Sequence, residues 1–157
     1  MFKLLQFPGF CGILVGISLH CVAWFGIWLA LKGDEFIFDA RGEQGAFEPF
    51  LSKYLDIAKF VAGLASGSIV LLVGSTTFRE GGHLPSSFAS PLFLLVLSII
   101  YGIVFMVCET LHYETSTHGT RAYTRRKYSS NVALGFSCLI CFGLAYAWLI
   151  VLITGHQ

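Results

Sequence analysis

Four long apolar stretches separated by short polar segments dominate the residue pattern, at about 8–31, 55–78, 91–112 and 128–154. Roughly 20 mostly apolar residues in a helix cross the hydrocarbon core of a bilayer. The apolar residues run continuously instead of alternating with polar ones, which indicates helices and excludes the strands of a barrel. We therefore predict an all-α integral membrane protein, an antiparallel four-helix bundle that forms one transmembrane domain over 1–157.

The composition agrees with this class. Hydrophobic residues make up 55% of the chain and charged residues 12%, about half the charged fraction of a soluble domain. A net charge of +1 provides no long-range field for a nucleic acid. The first apolar run is longer than the core of a signal peptide, and its exit, WLALKGDEF, lacks a cleavage motif of small residues. We therefore expect the first span to be retained as a helix.

The basic residues are distributed unevenly between the two ends of the predicted bundle. With four spans, Lys3 and Arg79 lie on one side of the membrane and the other eight of the ten basic residues lie on the opposite side. The positive-inside rule places the basic side in the cytoplasm. Both termini are then predicted on the non-cytoplasmic side of a multi-pass protein of the cell membrane.

The two loops on the basic side differ in character. The first loop, 32–54, combines acidic and phenylalanine residues, so we interpret it as a cap over the bundle end, with a docking surface for a partner as the alternative. The third loop has a basic cluster that would attract anionic lipid headgroups or pair with the acidic first loop. That cluster consists of Arg121, Arg125, Arg126 and Lys127.

Four ionisable residues near the cytoplasmic ends of two spans are the main candidates for function, because such residues are costly within a membrane. They are Asp56 and Lys59 of the second span and Glu109 and His112 of the third. We expect Lys59 to pair with Glu109 and Asp56 to contact His112. The cluster is either a structural clamp or part of a proton relay or pore, with Glu109 as the deepest member.

Each span has a face rich in small residues, as a projection at about 100° per residue shows. On the second span, Asp56 shares this face with Gly63, Gly67 and Gly74, and Gly63-xxx-Gly67 is a helix-packing motif. The other spans contribute Gly12 and Gly16 beside His20, Gly102 beside Glu109 and His112, and Gly135 beside Asn131 and Cys138. We predict that these faces point into the bundle.

His20, near the middle of the first span, is predicted to be a core histidine bonded to a carbonyl or hydroxyl group. A haem held by two histidines would need a second histidine at the same depth, and His112 lies too close to the cytoplasmic end. The pair Cys138-x-x-Cys141 is embedded in an apolar helix, where a reactive thiolate is disfavoured. No phosphate loop, hydrolase motif or metal-ligand motif is present, so neither a cofactor nor a metal is predicted.

Three functions remain open at this stage. The first is a non-enzymatic subunit of a larger membrane complex or homo-oligomer, favoured by the small-residue faces and the short loops. The second is an oligomeric ion or proton channel that uses Asp56, Lys59, Glu109 and His112. The third is a haem- or quinone-binding redox subunit that acts through His20. The expected partners are the lipid bilayer, anionic headgroups and other membrane subunits or further copies of the chain, and no nucleic acid.

Overall fold

The computed structural model describes residues 10–30, 35–36, 48–75, 84–118 and 123–154. Within them lie helices α1 (Phe10–Ala30), α2 (Glu48–Gly74), α3 (Ala89–His118) and α4 (Arg125–Thr154), with a single 3₁₀ turn at Ser86–Phe88 before α3. Two strands, β1 (Glu35–Phe36) and β2 (Tyr123–Thr124), pair antiparallel. All four α-helices are long and apolar enough to cross a membrane.

The helix boundaries differ from the predicted spans because polar turns continue the helices beyond their apolar segments. α2 begins at Glu48, before the predicted start near residue 55. Pro49 occupies its first turn, where the backbone N–H groups have no partner within the helix, so the N–H that proline lacks is not missed. α3 continues to His118 instead of ending near residue 112. The apolar residues indicate only the part of a helix that contacts lipid. The helix itself continues as far as its backbone hydrogen bonds do, and these extend into the polar turns.

The helices alternate in direction, and α3 and α4 form the centre of the bundle. Close approaches of Gly12 to Ser90 and of Gly16 to Leu97 show that α1 runs parallel to α3. α2 packs mainly on α3, and α1 packs on both α3 and α4. Within the described part of the chain, α1 and α2 thus lie on different sides of the α3–α4 pair.

The buried core is built from aliphatic and small side chains of α2, α3 and α4. Leu94 and Leu95 of α3 are fully buried, as are Cys141 and Ala145 of α4. The Ser98 hydroxyl, also buried, donates to the Cys138 carbonyl at 2.8 Å and so links α3 to α4. The buried positions of α1 are Gly12 and Gly16, so α1 joins the bundle by backbone approach and not by large side chains.

Large apolar side chains cover the outside of the helices. Val22, Val70, Leu71 and Val151 are all about two-thirds or more exposed. A soluble protein rarely exposes apolar surface of this extent, but lipid chains solvate it without penalty. This outward surface agrees with a multi-pass membrane protein.

Candidate functional site

Three polar side chains meet where the end of α3 faces the start of α4, and we call Glu109, His112 and Asn131 the end cluster. Glu109 and His112 are three residues apart and project from one face of α3. Asn131 Nδ2 donates to Glu109 Oε2 at 2.6 Å and lies 2.8 Å from His112 Nδ1. The cluster therefore joins two titratable side chains of α3 through one amide group of α4.

The end cluster is buried, so its hydrogen bonds matter for stability. Glu109 is 8% exposed and Asn131 is 2% exposed, and a buried polar group without a partner would be strongly unfavourable. An asparagine amide nitrogen has two hydrogens, which allows Asn131 to serve both acceptors. His112 accepts at Nδ1, and its neutral form therefore carries its proton on Nε2.

Neighbouring groups from α2 and α4 approach the end cluster. Tyr128 interacts electrostatically with Glu109 and with Tyr54. Lys127 interacts electrostatically with His112. On the side towards the membrane centre, Phe105 and Leu134 belong to an apolar cluster with Ala58. The end cluster thus lies between an apolar layer and the polar end of the bundle.

The structure divides the predicted group of four ionisable residues into two pairs. Lys59 Nζ lies 3.5 Å from Asp56 Oδ1 on the same helix, and both side chains are about two-thirds exposed. The predicted pairing of Lys59 with Glu109 and of Asp56 with His112 is therefore wrong. The face of α2 that carries Asp56 points away from α3, which leaves Glu109 and His112 to bond with α4 instead.

Asn131 is the member of the end cluster that sequence reasoning missed as a site residue. Its helical angle placed it on the inward face of the fourth span, together with Gly135 and Cys138. Asn131 follows the loop between α3 and α4, and Glu109 precedes that loop. Counting residues away from the loop along each helix would have placed Asn131 near the depth of Glu109. An uncharged asparagine in a span is a weaker indication of a site than a charged residue such as Asp56 or Lys59, although both of those side chains are exposed.

A second polar group, the midspan cluster of His20, Tyr101 and Ser137, connects α1, α3 and α4. His20 Nδ1 lies 3.0 Å from Ser137 Oγ, and the imidazole stacks on the Tyr101 ring with centroids 5.1 Å apart. Ser137 donates its own hydrogen to the Ala133 carbonyl at 2.7 Å. Because that hydrogen is already used, His20 is the donor, so its neutral form carries the proton on Nδ1.

The two clusters offer few ligands for a cofactor or a metal. With its proton on Nδ1, His20 has a free lone pair on Nε2. A histidine that binds a metal uses such a nitrogen while its other ring nitrogen donates a hydrogen bond to a neighbour. His112, the other histidine whose side chain the structure describes in a span, lies in the end cluster and not beside His20. Among the described residues, no three histidine, cysteine or acidic side chains come together as a metal site would require.

The cysteines are unpaired in the described structure. Cys138 and Cys141 are buried, whereas Cys11 and Cys21 are exposed on the outer surface of α1. The Cys138-x-x-Cys141 pair lies between helices as small packing side chains.

The predicted packing glycines fall into two groups. Gly12, Gly16, Gly102 and Gly135 lie at helix contacts, where a Cβ would approach a neighbouring helix closely. By contrast, a Cβ at each of three α2 glycines would meet no neighbouring helix of the described structure within 4 Å, and the predicted inward orientation of that stripe is wrong. These three are Gly63, Gly67 and Gly74.

The predicted basic cluster surrounds the start of α4. Arg121 and the side chain of Arg125 lie outside the described part of the structure. Arg126 is exposed and Lys127 is half-buried in the first turn of α4. The strand pairing places Glu35 opposite Thr124, so the first and third loops meet at this end of the bundle. Most of the predicted acidic cap, at 37–47, lies outside the described residues.

Comparison of the chain with protein-family models, curated proteins and solved structures found no match. The class of protein therefore follows from the fold alone: four apolar helices arranged as a bundle that could cross a membrane.

Proposed function

We propose that the protein is a non-enzymatic membrane subunit that associates with a second copy of itself through the outer face of α2. The carrying observation is the exposed stripe of Gly63, Gly67 and Gly74, around which no other helix of the described structure packs within 4 Å of the Cβ positions. Glycine lowers helix stability by about 1 kcal/mol relative to alanine. Contact with lipid alone gives no reason for this loss of helix stability, whereas the close approach of another helix requires small residues such as glycine.

The polar residues of the same helix support a symmetric pairing. Asp56 and Lys59 form an exposed ion pair, and the Ser66 hydroxyl, also exposed, bonds to the Ala62 carbonyl of its own helix at 2.8 Å. In a two-fold dimer with its axis along the membrane normal, each residue lies at the same depth as its copy. Asp56 of one copy could then pair with Lys59 of the other, so the face is complementary to itself in charge.

The proposal includes an orientation in the cell membrane. The basic residues at the start of α4 oppose the helix dipole, which favours negative charge at a helix N-terminus. The helix dipole therefore does not account for their position. Anionic headgroups of the cytoplasmic leaflet provide a favourable partner for Arg126 and Lys127, at about 1 kcal/mol for each charge.

Replacement of Gly67 by leucine tests the assembly. We expect the wild-type protein in lipid nanodiscs or mild detergent to have the mass of a dimer, and Gly67→Leu to shift it to a monomer because the side chain separates the helices. Gly143→Leu is the matched control, since Gly143 is also exposed, with no described residue of another helix near its Cβ position, but lies on α4. A monomeric wild-type protein, or equal dissociation by both variants, would contradict self-association through α2.

A further inference from the structure

One ring nitrogen of His20 lacks a hydrogen bond in the middle of the bundle. His20 lies ten residues from each end of α1 (Phe10–Ala30), which is about 15 Å at the rise of a helix. Its Nδ1 lies 3.0 Å from Ser137 Oγ, whereas Nε2 has no polar partner among the described residues. A polar atom without a partner is strongly unfavourable in hydrocarbon, so a group from outside the described chain is needed at Nε2.

This requirement holds for both neutral forms of the imidazole. With the proton on Nδ1, as the bond from Ser137 to the Ala133 carbonyl requires, Nε2 is an acceptor, and in the other tautomer it is a donor. The two nitrogens lie on nearly opposite sides of the ring, so Nε2 points away from Ser137. The Tyr101 ring of α3 stacks on the imidazole, with an angle of 17° between the two planes. Nε2 therefore points away from α4, along the aromatic surface of α3.

The close packing of α1 ends just before His20. Gly12 and Gly16 are the buried residues of this helix, and at about 100° per residue Ala23 projects within about 20° of both. Ala23 is nevertheless partly exposed, whereas the inward Ala133 of α4 is fully buried. A small side chain on an inward face stays partly exposed where the neighbouring helices stand apart from it. We call the resulting space beside His20 and Ala23 the His20 opening.

Depth and hydrogen bonding together define the ligand that suits the His20 opening. The ligand needs a donor, because Nε2 accepts, and it needs to be uncharged, because charge is costly at the centre of a membrane. The hydroxyl groups of sterols and the headgroups of phospholipids are hydrated at the membrane surface and lose that hydration at this depth. A lipid-soluble quinol combines a phenolic hydroxyl with a flat ring and an apolar tail, and it carries no charge.

We propose that the His20 opening binds the head group of a lipid-soluble quinol. The quinol hydroxyl donates to His20 Nε2, and its ring lies along Tyr101 in the room left beside Ala23. The site lies on the α1 side of the α3–α4 pair, whereas the surface proposed for self-association lies on α2. Binding is therefore independent of that association, and a monomeric Gly67→Leu protein should bind the quinol as the wild type does.

Titration of the full chain in lipid nanodiscs with decylubiquinol, kept reduced under argon, tests the proposal. Nitrogen NMR of labelled histidine follows His20, whose signals are assigned by their loss in His20→Phe. We expect a saturable change of the Nε2 signal with the quinol. The dimethyl ether of the same quinol has no O–H to donate, and cholesterol has a hydroxyl group but no flat aromatic ring, so neither should produce that change. The absence of a saturable change with the quinol, or an equal change with either control compound, would overturn the proposal.

His20→Phe retains a ring beside Tyr101 but removes the acceptor. We expect the affinity for tritiated decylubiquinol, corrected for uptake by empty nanodiscs, to fall about tenfold, as expected for the loss of one hydrogen bond. Tyr146→Phe is the matched control, because it removes a hydroxyl that bonds to Ser68 between α2 and α4, and its affinity should be unchanged. Equal affinity in His20→Phe and the wild type would contradict binding through Nε2.

Ala23→Leu fills the His20 opening without removing a polar group, so it tests the location even if His20→Phe does not fold. We expect at least a tenfold loss of quinol affinity, while the His20 signals of the ligand-free protein remain those of an imidazole bonded at Nδ1. Gly26→Leu is the control on the same helix, since the Cβ position of Gly26 has no neighbour among the described residues of other helices. Unchanged affinity in Ala23→Leu, or an equal loss in Gly26→Leu, would overturn the proposed location.

Discussion

Single side chains that serve two partners hold the polar parts of this bundle together. Ser137 donates to the Ala133 carbonyl and accepts from His20, much as Asn131 bonds to both Glu109 and His112. In a membrane the alternative to such bonds is an unsatisfied polar group in hydrocarbon. The buried polar residues therefore occur as small satisfied groups and not as scattered individuals.

Ser137→Ala should destabilise the protein because it leaves the Nδ1–H of His20 without its acceptor. We expect a loss of about 1 kcal/mol in the free energy of unfolding, within the range measured for hydrogen bonds between membrane helices. Ser66→Ala is the control, because Ser66 also bonds to the carbonyl four residues earlier but is exposed. Unfolding in mixed micelles provides the measurement, and equal losses would show that the contact with His20 contributes nothing.

The sequence located the buried carboxylate but not its partner. The helical angle placed Glu109 on an inward face, and the structure buries it. Its partner depends on how α2 and α4 are rotated about their own axes relative to α3. Periodicity within one helix defines a face, but it does not define which neighbour that face meets.

At the scale of helices, backbone approach determines how α1 joins the bundle. A Cβ at Gly12 would collide with the carbonyl oxygen of Ser90, which is a backbone atom and cannot rotate away. At Gly16 a Cβ would lie 2.6 Å from Leu97 Cδ1, and that flexible side chain could adjust. Gly12 is thus the stricter requirement for the contact between α1 and α3.

Gly12→Ala tests this contact directly. We expect it to reduce the free energy of unfolding by about 1–3 kcal/mol, the usual effect of overpacking a close contact. The Cβ position of Gly26 on the same helix has no neighbour among the described residues of other helices, so Gly26→Ala should be neutral or should stabilise the helix by up to about 1 kcal/mol. Thermal unfolding in detergent compares the two variants, and a similar effect of both would argue against close packing at Gly12.

The stripe on α2 shows the limit of small-residue patterns at this scale. Gly63, Gly67 and Gly102 are similar signals in sequence, yet Gly102 lies at a contact and the two α2 glycines do not. A Gly-xxx-Gly pattern predicts close helix packing without distinguishing a helix of the same chain from that of another. Here the core of α2 is formed by the opposite face, with Ala58, Val61, Ala65 and Leu72 buried.

At the scale of the whole molecule, the two ends of α3 lie at opposite ends of the bundle. Ser87 lies in the 3₁₀ turn that precedes α3, and Glu114 lies near the other end of that helix. Both residues are exposed. They are therefore suitable reporters for the proposed orientation.

Single cysteines at these positions should report that orientation in intact cells. We expect Ser87→Cys to react with a membrane-impermeant maleimide from outside, and Glu114→Cys to react only after permeabilisation, because the proposed orientation puts the basic loops in the cytoplasm. The unsubstituted protein provides the background from its native cysteines. The reverse pattern would place the termini in the cytoplasm, and labelling of both without permeabilisation would contradict a membrane-spanning α3.

The sequence by itself determined the number of apolar helices, because continuous apolar length is a local property that lipid solvation selects. It also marked Glu109, Asn131 and Gly102 as residues of inward faces. The tertiary structure decided that Asn131, and not Lys59, meets Glu109, and that the glycine stripe of α2 faces outward. These outcomes depend on the rotation and depth of each helix against its neighbours, which packing sets across residues distant in the chain.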